Sequence, residues 1–248
     1  MRTHIKKNIW IIGASTGIGR ALALELDRQG ANLILSARNA AQLNLVNNEL
    51  ENRHHVIPLD VTDVTSLAAA ADSLQNLLTP LDSVIFMAGA YQPMRFDKID
   101  LTTRDHIIAT NLTGALNTVH VVLPLLRAQK HGQIALCGSV AGYRGLPGAQ
   151  PYGATKAALI NIAESLKAET KGQNIDIKLI NPGFVRTPMT DKNDFTMPMM
   201  IEPAAAARAI AKGLLSNRFE IHFPFKFTIL LKIARLLPAA LYFRIVPR

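Results

Sequence analysis

The chain is nearly without cysteine: Cys137 is the one such residue in 248. That excludes an intramolecular disulfide and points to a reducing, cytoplasmic compartment. Cys137 closes an apolar run just before Ser139, so a buried structural thiol is expected there rather than a second nucleophile. Charged residues are also few, 18% against 49% hydrophobic, the balance of a globular chain that can bury the core of one α/β domain. The first seven residues hold no apolar stretch of signal-peptide length, and Val246-Pro247-Arg248 matches no retention or peroxisomal tripeptide, so no targeting signal is expected. Internal repeats, low-complexity stretches and long linkers are lacking. Acid is missing from two further places: the segment Leu33 to Asn39, and everything after Glu220.

What is present begins with glycine. Lys7 to Ile12 reads as a short buried strand, and Ile18 to Gln29 as a helix stopped by Gly30. Between them runs Gly13-Ala14-Ser15-Thr16-Gly17-Ile18-Gly19. Glycines at such a junction permit a sharp turn and close approach to a ligand. The helix start then offers free N–H groups and a positive dipole end to a pyrophosphate. The spacing Gly-x-x-x-Gly-x-Gly differs from the commoner Gly-x-Gly-x-x-Gly, and a purely structural turn would use the same residues. Further along stands Tyr152-Gly153-Ala154-Thr155-Lys156, with Ser139 upstream. Ala154 to Lys171 has no proline and many helix formers, so Tyr152 and Lys156 share a face one turn apart. An ammonium beside a phenol favours the phenolate and lowers its pKa. Tyr152 is then a candidate general acid for a carbonyl oxygen, or base for an alcohol. Taken alone, a Tyr and a Lys that only pack and solvate a helix face have the same spacing.

In this order, the segments resemble the short-chain dehydrogenase/reductase family, of the compact single-domain kind, over Lys7 to Phe223. The resemblance implies cofactor contacts from the turn residues Gly13, Ser15, Thr16, Gly17, Ile18 and Gly19, and from Asp60 and Val61 at the adenine pocket. It adds Ala88 and Gly89 after the fourth strand, and Pro182, Gly183, Val185 and Thr187 beside the nicotinamide. It implies a catalytic set of Asn111, Ser139, Tyr152 and Lys156, in which Tyr152 and Lys156 also touch the cofactor and Asn111 positions a water. Met87 stands where the family has an asparagine that stabilises the central sheet. A homodimer or homotetramer is the assembly the resemblance implies.

Strands are expected near Ile9, Leu33–Leu35, Val56–Leu59, Val84–Met87, Ile134–Leu136, Ile177–Ile180 and Glu220–Phe223. Helices are expected near Ala21–Leu26, Ala41–Glu51, Leu67–Leu78, Thr103–Thr118, Thr155–Glu169 and Ala204–Leu215. Apolar strands alternating with helices give a single-domain Rossmann fold: a doubly wound parallel sheet of about seven strands over residues 1–223, followed by a basic amphipathic C-terminal tail over 224–248. The dinucleotide is expected at the strand C-termini, at the switch point.

The acid-free segment after the second strand bears on cofactor choice. With no carboxylate for the adenosine ribose, and with Ser36, Arg38 and Asn39 offering donors and a positive charge, NADP(H) is preferred, NAD(H) being the alternative. Arg38 as a solvated turn residue, or stacked on adenine in either cofactor, is the competing reading. Phe184 to Ile201 is short and rich in Met and Phe, as suits a cover over an irregular apolar ligand. Tyr91, Gln92, Tyr143, Leu146 and Met189 are candidates to line the substrate cavity. The methionines also serve if they only pack the cover onto the body. The resulting expectation is an NADP(H)-dependent oxidoreductase interconverting a carbonyl and a secondary alcohol on an apolar, lipid-, steroid- or ketone-like substrate. A non-catalytic nucleotide-binding regulator is the alternative, but a regulator needs no phenol acid. No metal is expected.

In the acid-free tail, Lys226, Lys232, Arg235, Arg244 and Arg248 alternate with Phe, Leu, Ile and Tyr in runs too short to span a bilayer. Three uses compete: a membrane interface, a cap on the subunit's own cavity, and a subunit interface. The net charge is +9, but no nucleic-acid-binding motif accompanies it, so no nucleic-acid partner is expected.

Overall fold

Strands that will be covered on both faces must be apolar on both. In β1 (Asn8–Ile12), Ile9 and Ile11 enter one hydrophobic cluster while Trp10 and Ile12 enter the other. The same alternation runs through β2 (Asn32–Ser36), β4 (Ser83–Phe86), β5 (Gly132–Cys137) and β6 (Ile175–Pro182). A computed structural model describes residues 7–77 and 80–246. With β3 (His55–Val56) and β7 (Glu220–Phe223), the strands form one parallel sheet in the order β3-β2-β1-β4-β5-β6-β7. Residues of α1 (Gly17–Arg28), α2 (Ala40–Glu49) and α7 (Pro203–Leu214) complete one cluster. Residues of α3 (Val64–Leu77), α5 (Gly114–Gln129) and α6 (Tyr152–Glu169) complete the other.

Ile12 pairs with both Ser36 and Phe86, so the chain leaves β1, β2 and β4 at one level, with Gly13, Ala37 and Met87 side by side. β1 lies where the strand order reverses, and a crevice opens there.

Several boundaries differ from the sequence expectation. The strand foreseen at Val56–Leu59 is reduced to His55–Val56: Ile57 and Leu59 still donate to Leu35 and Ala37, but Pro58 between them has no N–H to give. The helix foreseen at Thr103–Thr118 runs from α4 (Leu101–Ile108) through a π-helical turn (Ala109–Thr113) into α5, which continues past Pro124 to Gln129. This 29-residue stretch, with a mean hydropathy of 1.2 over its most apolar 18-residue window, is among the described residues the one helix long and apolar enough to cross a bilayer. Its Ile107, Ala115, Val122 and Leu126 are buried in the body, which accounts for its apolar character. The foreseen helix end at Leu78 lies outside the described residues, as do residues 1–6 and the final Pro247 and Arg248. The tail folds as α8 (Phe225–Leu236) and α9 (Ala239–Ile245).

Candidate active site and dinucleotide cleft

At the crevice, the glycine turn is held to the next strand: Gly13 and Ala14 donate their N–H groups to the Ser36 carbonyl at 2.7 and 3.1 Å. Gly13 has φ +99, and a Cβ there would stand 2.5 Å from the Ala88 nitrogen. A Cβ on Gly19 would lie 2.0 Å from the Gly13 carbonyl oxygen, so the first turn of α1 passes directly against the loop. Thr16 precedes α1 without a side-chain cap, and no acid stands in the first turn. The opening N–H groups thus remain available to an anion.

A cleft of about 380 Å³ starts at this turn. Ser15, Thr16, Gly17, Ile18 and Gly19 line it with Gly13, as do Arg38, Asn39 and Val61. Met87, Ala88 and Gly89 form its floor, and Pro182, Gly183, Val185, Thr187 and Met189 its far wall. Ser139, Tyr152 and Lys156 reach the same cleft from three places. Ser139 follows β5 and opens a short 3-10 turn, Tyr152 starts α6, and Lys156 lies one turn further on.

Sequence reasoning missed Thr110, Gln42, Gly138 and Thr190 among the lining residues. Thr110 is the most informative, because its hydroxyl is buried and lacks a hydrogen-bond partner. A buried orphan hydroxyl facing a cleft, with the open helix start and the glycine cradle, fits a polar, phosphate-bearing ligand such as a dinucleotide.

Other expectations need correcting. Ser36 is fully buried and its Oγ accepts the Trp10 indole N–H at 2.9 Å, so its side chain is turned away from the cofactor. Asp60 stands outside the cleft wall, its Oδ1 accepting from the Thr62 N–H and hydroxyl at 2.9 and 2.8 Å. Asn39 reaches the cleft, but its Oδ1 is taken by the Gln42 N–H as the cap of α2. Tyr143 is buried and donates to Glu220 at 2.5 Å, and Leu146 likewise lies outside the cleft. Tyr91 is not in the cleft wall either, though its ring meets that of Tyr152 edge-on at 4.8 Å while its hydroxyl donates to Asn193. Asn111 is fully buried behind the cleft. Its Oδ1 accepts from the Ala90 N–H at 2.7 Å, and its Nδ2 donates to the Ala90 carbonyl and to Thr155. Met87 keeps the sheet in register where the family has asparagine, its N–H donating to Ile12 at 2.7 Å.

The electrostatics also differ from the simple expectation. Burial pushes the Tyr152 phenol well above its ordinary value, and the Ser139 hydroxyl pulls it partly back. The Lys156 ammonium lies 5.5 Å from the Tyr152 ring centre and donates to the Cys137 carbonyl at 2.7 Å; burial holds it below the usual lysine value. The phenol thus rests protonated. Cys137 is buried, its thiol pushed up by burial.

A profile of the short chain dehydrogenase family matches residues 7–197. The chain belongs to this family. It is therefore an oxidoreductase acting on CH–OH substrates, with a dinucleotide-binding fold. A curated relative from Myxococcus xanthus, described as an uncharacterized oxidoreductase, is 32% identical over 94% of this chain and 93% of its own. Another uncharacterized oxidoreductase, from Staphylococcus epidermidis, is 31% identical over 85% of this chain and 92% of its own. Among solved structures, a short chain dehydrogenase from Burkholderia cenocepacia in complex with NADP superposes with a TM-score of 0.86 over 98% of both chains, at 21% identity. A short chain dehydrogenase/reductase from Burkholderia phymatum in complex with NAD gives 0.84 over 94% of both, at 20% identity. These similarities establish the fold; they leave the choice between the two dinucleotides open.

Proposed function

We propose that this chain is an NADP(H)-dependent oxidoreductase that interconverts a carbonyl and a secondary alcohol on an apolar substrate, with Tyr152 moving the proton. The observation that carries the reading is the meeting of Ser139, Tyr152 and Lys156 in one cleft with the glycine turn and Arg38. When bound, the nicotinamide supplies or accepts the hydride. Gly13 to Gly19 and the start of α1 would hold the phosphates, and the unpartnered Thr110 hydroxyl and Thr187, both in the same cleft, would contact the rest of the cofactor. Tyr152, protonated at rest, donates to the carbonyl oxygen in reduction, and Ser139 hydrogen-bonds the same oxygen. Lys156 stabilises the phenolate as it forms. Asn111, tied to Ala90 and Thr155, fixes the floor behind them.

Support for NADP(H) comes from Arg38, which is exposed at the cleft and, among the described residues, has no ion-pair partner, while no acid faces the ribose end. Met87, Met189 and Pro188 give the inner cleft an apolar wall. A homodimer or homotetramer belongs to the same reading, and exposed Leu101 and Leu116 on α4 and α5 supply an apolar face for it.

The experiment is one titration set with two variants and a panel of apolar ketones and aldehydes. Tyr152→Phe is expected to bind cofactor normally and lose turnover roughly a hundredfold or more. Arg38→Ala is expected to weaken NADPH by about 1.5–3 kcal/mol and leave NADH nearly unchanged. Unchanged turnover in the first variant removes the acid–base role, and equal weakening of both cofactors in the second removes the 2′-phosphate contact.

A further inference from the structure

α8 and α9 turn few side chains inward and leave many large apolar ones exposed. At 3.6 residues per turn, Phe225, Ile229, Leu230, Ile233 and Leu236 fall on one arc of roughly 140°. Leu236 is 83% exposed and Phe225 63%; on α9, Phe243 is 71% exposed. Phe227 and Thr228 take the opposite side of α8 and are buried. No acid follows Glu220. Of the tail cations, Lys232 is committed to Glu220 at 2.6 Å, whereas Lys226, Arg235 and Arg244 make no ion pair among the described residues.

We propose that this face docks on an anionic lipid surface. Charge decides between occupants. A second copy packed through the same patch in a two-fold dimer would set these cations against their own kind. A layer of anionic headgroups complements them, and the acyl boundary accepts the Phe, Leu and Ile side chains. At 1.5 Å rise per residue, α8 is about 18 Å long, so it lies along the interface and does not cross it. Phe227 on its inner side packs on Phe184 at 5.5 Å, and Phe184 on Phe195 at 5.8 Å. The inner side of α8 therefore adjoins the segment that follows Pro182-Gly183 at the cleft. Entry of a lipophilic substrate from the bilayer rests on the function proposed above; the docking itself does not.

The test is co-sedimentation of the full-length protein with phosphatidylcholine vesicles, with and without phosphatidylglycerol, at low and high salt, alongside light scattering for oligomeric state. The wild type is expected in the pellet with the anionic vesicles at low salt, and largely in the supernatant with neutral vesicles or at high salt. Lys226→Gln is expected to weaken binding about fivefold. Leu230→Gln/Ile233→Gln/Leu236→Gln is expected to stay in the supernatant with an unchanged melting temperature. Wild-type protein left in the supernatant at low salt overturns the proposal, as does equal pelleting of the triple variant. An oligomer that the triple variant dissolves, without vesicle binding by the wild type, assigns the face to a second copy. None of these readouts depends on turnover, so they stand apart from the outcome for Tyr152→Phe.

Discussion

Phe86 in β4 and Phe225 at the start of α8 are the same residue type under opposite conditions: one has 0% of its surface exposed, the other 63%. Around Phe86, strands and helices seal two apolar clusters, and few polar side chains are buried with them. The tail reverses this. Phe227 and Leu231 pack on the core, and a set of polar contacts attaches the rest of the tail. Arg144 donates to the Ala234 and Leu237 carbonyls at 2.9 and 2.7 Å, and its guanidinium lies 3.8 Å over the Tyr242 ring. Tyr242 donates to the Gly145 carbonyl, Lys232 pairs with Glu220, and the Thr228 hydroxyl meets His222. Tyr143, Arg144 and Gly145 thus hold the tail, and they sit in the loop between Ser139 and Tyr152. The body hides its apolar surface to become stable, whereas the tail uses polar anchors so that its apolar surface stays outside.

The largest expected effect tests the sealed half of this contrast. Phe86→Ala should cost about 3–5 kcal/mol, the usual range for emptying a packed aromatic site. Phe225→Ala should stay within about 0.5 kcal/mol, as exposed positions do. Urea unfolding of both variants measures the pair, and a cost of several kcal/mol for Phe225→Ala would mean that the tail's outer face is already covered.

Arg144→Ala comes next. Loss of its charged hydrogen bonds, at a partly exposed site, should weaken tail docking by about 1.5 kcal/mol. Hydrogen exchange should quicken over residues 225–245 while strand amides hold their protection. Equal quickening in the strands would show that tail and body unfold together.

The smallest effect is a pH dependence. Burial alone would raise the Glu220 carboxyl, but Lys232, Tyr143 and Asn181 outweigh it and hold its pKa below the ordinary 4.5. A depressed carboxyl stabilises the folded state above its unfolded value, and that contribution is lost as the pH falls through the folded one. The gap in urea midpoint between wild type and Glu220→Gln should therefore be full at neutral pH and close below pH 4.5. A gap that widens on acidification would contradict the pairing.

Much of the site was legible because its chemistry is local. Gly13 and Gly19 are demanded by backbone that passes within contact distance of them and Gly17 by its φ of +54, and Tyr152 and Lys156 are one helical turn apart. The misreadings came from side chains claimed by other partners, some far along the chain and some, as at Asn39 and Asp60, only two or three residues away. Ser36 is claimed by Trp10, Tyr143 by Glu220, and Asn39 by a helix start that needed a cap. Thr110 escaped notice because nothing in Thr110-Asn111 tells which hydroxyl will be left without a partner.

The sequence by itself determined the parallel α/β class, the order of the elements, the glycine turn and the spacing of the tyrosine and lysine. These follow from periodicity and steric rules that act within a few residues. Only the tertiary structure decided which polar groups face the cleft and which are consumed by packing, and that burial outweighs the Ser139 hydroxyl at Tyr152. It also decided that Phe227, Thr228 and Tyr242 of the tail turn inward while Phe225, Leu230, Ile233 and Leu236 stay exposed. Each of these depends on which distant segments exclude water together, and desolvation is a property of the assembled fold.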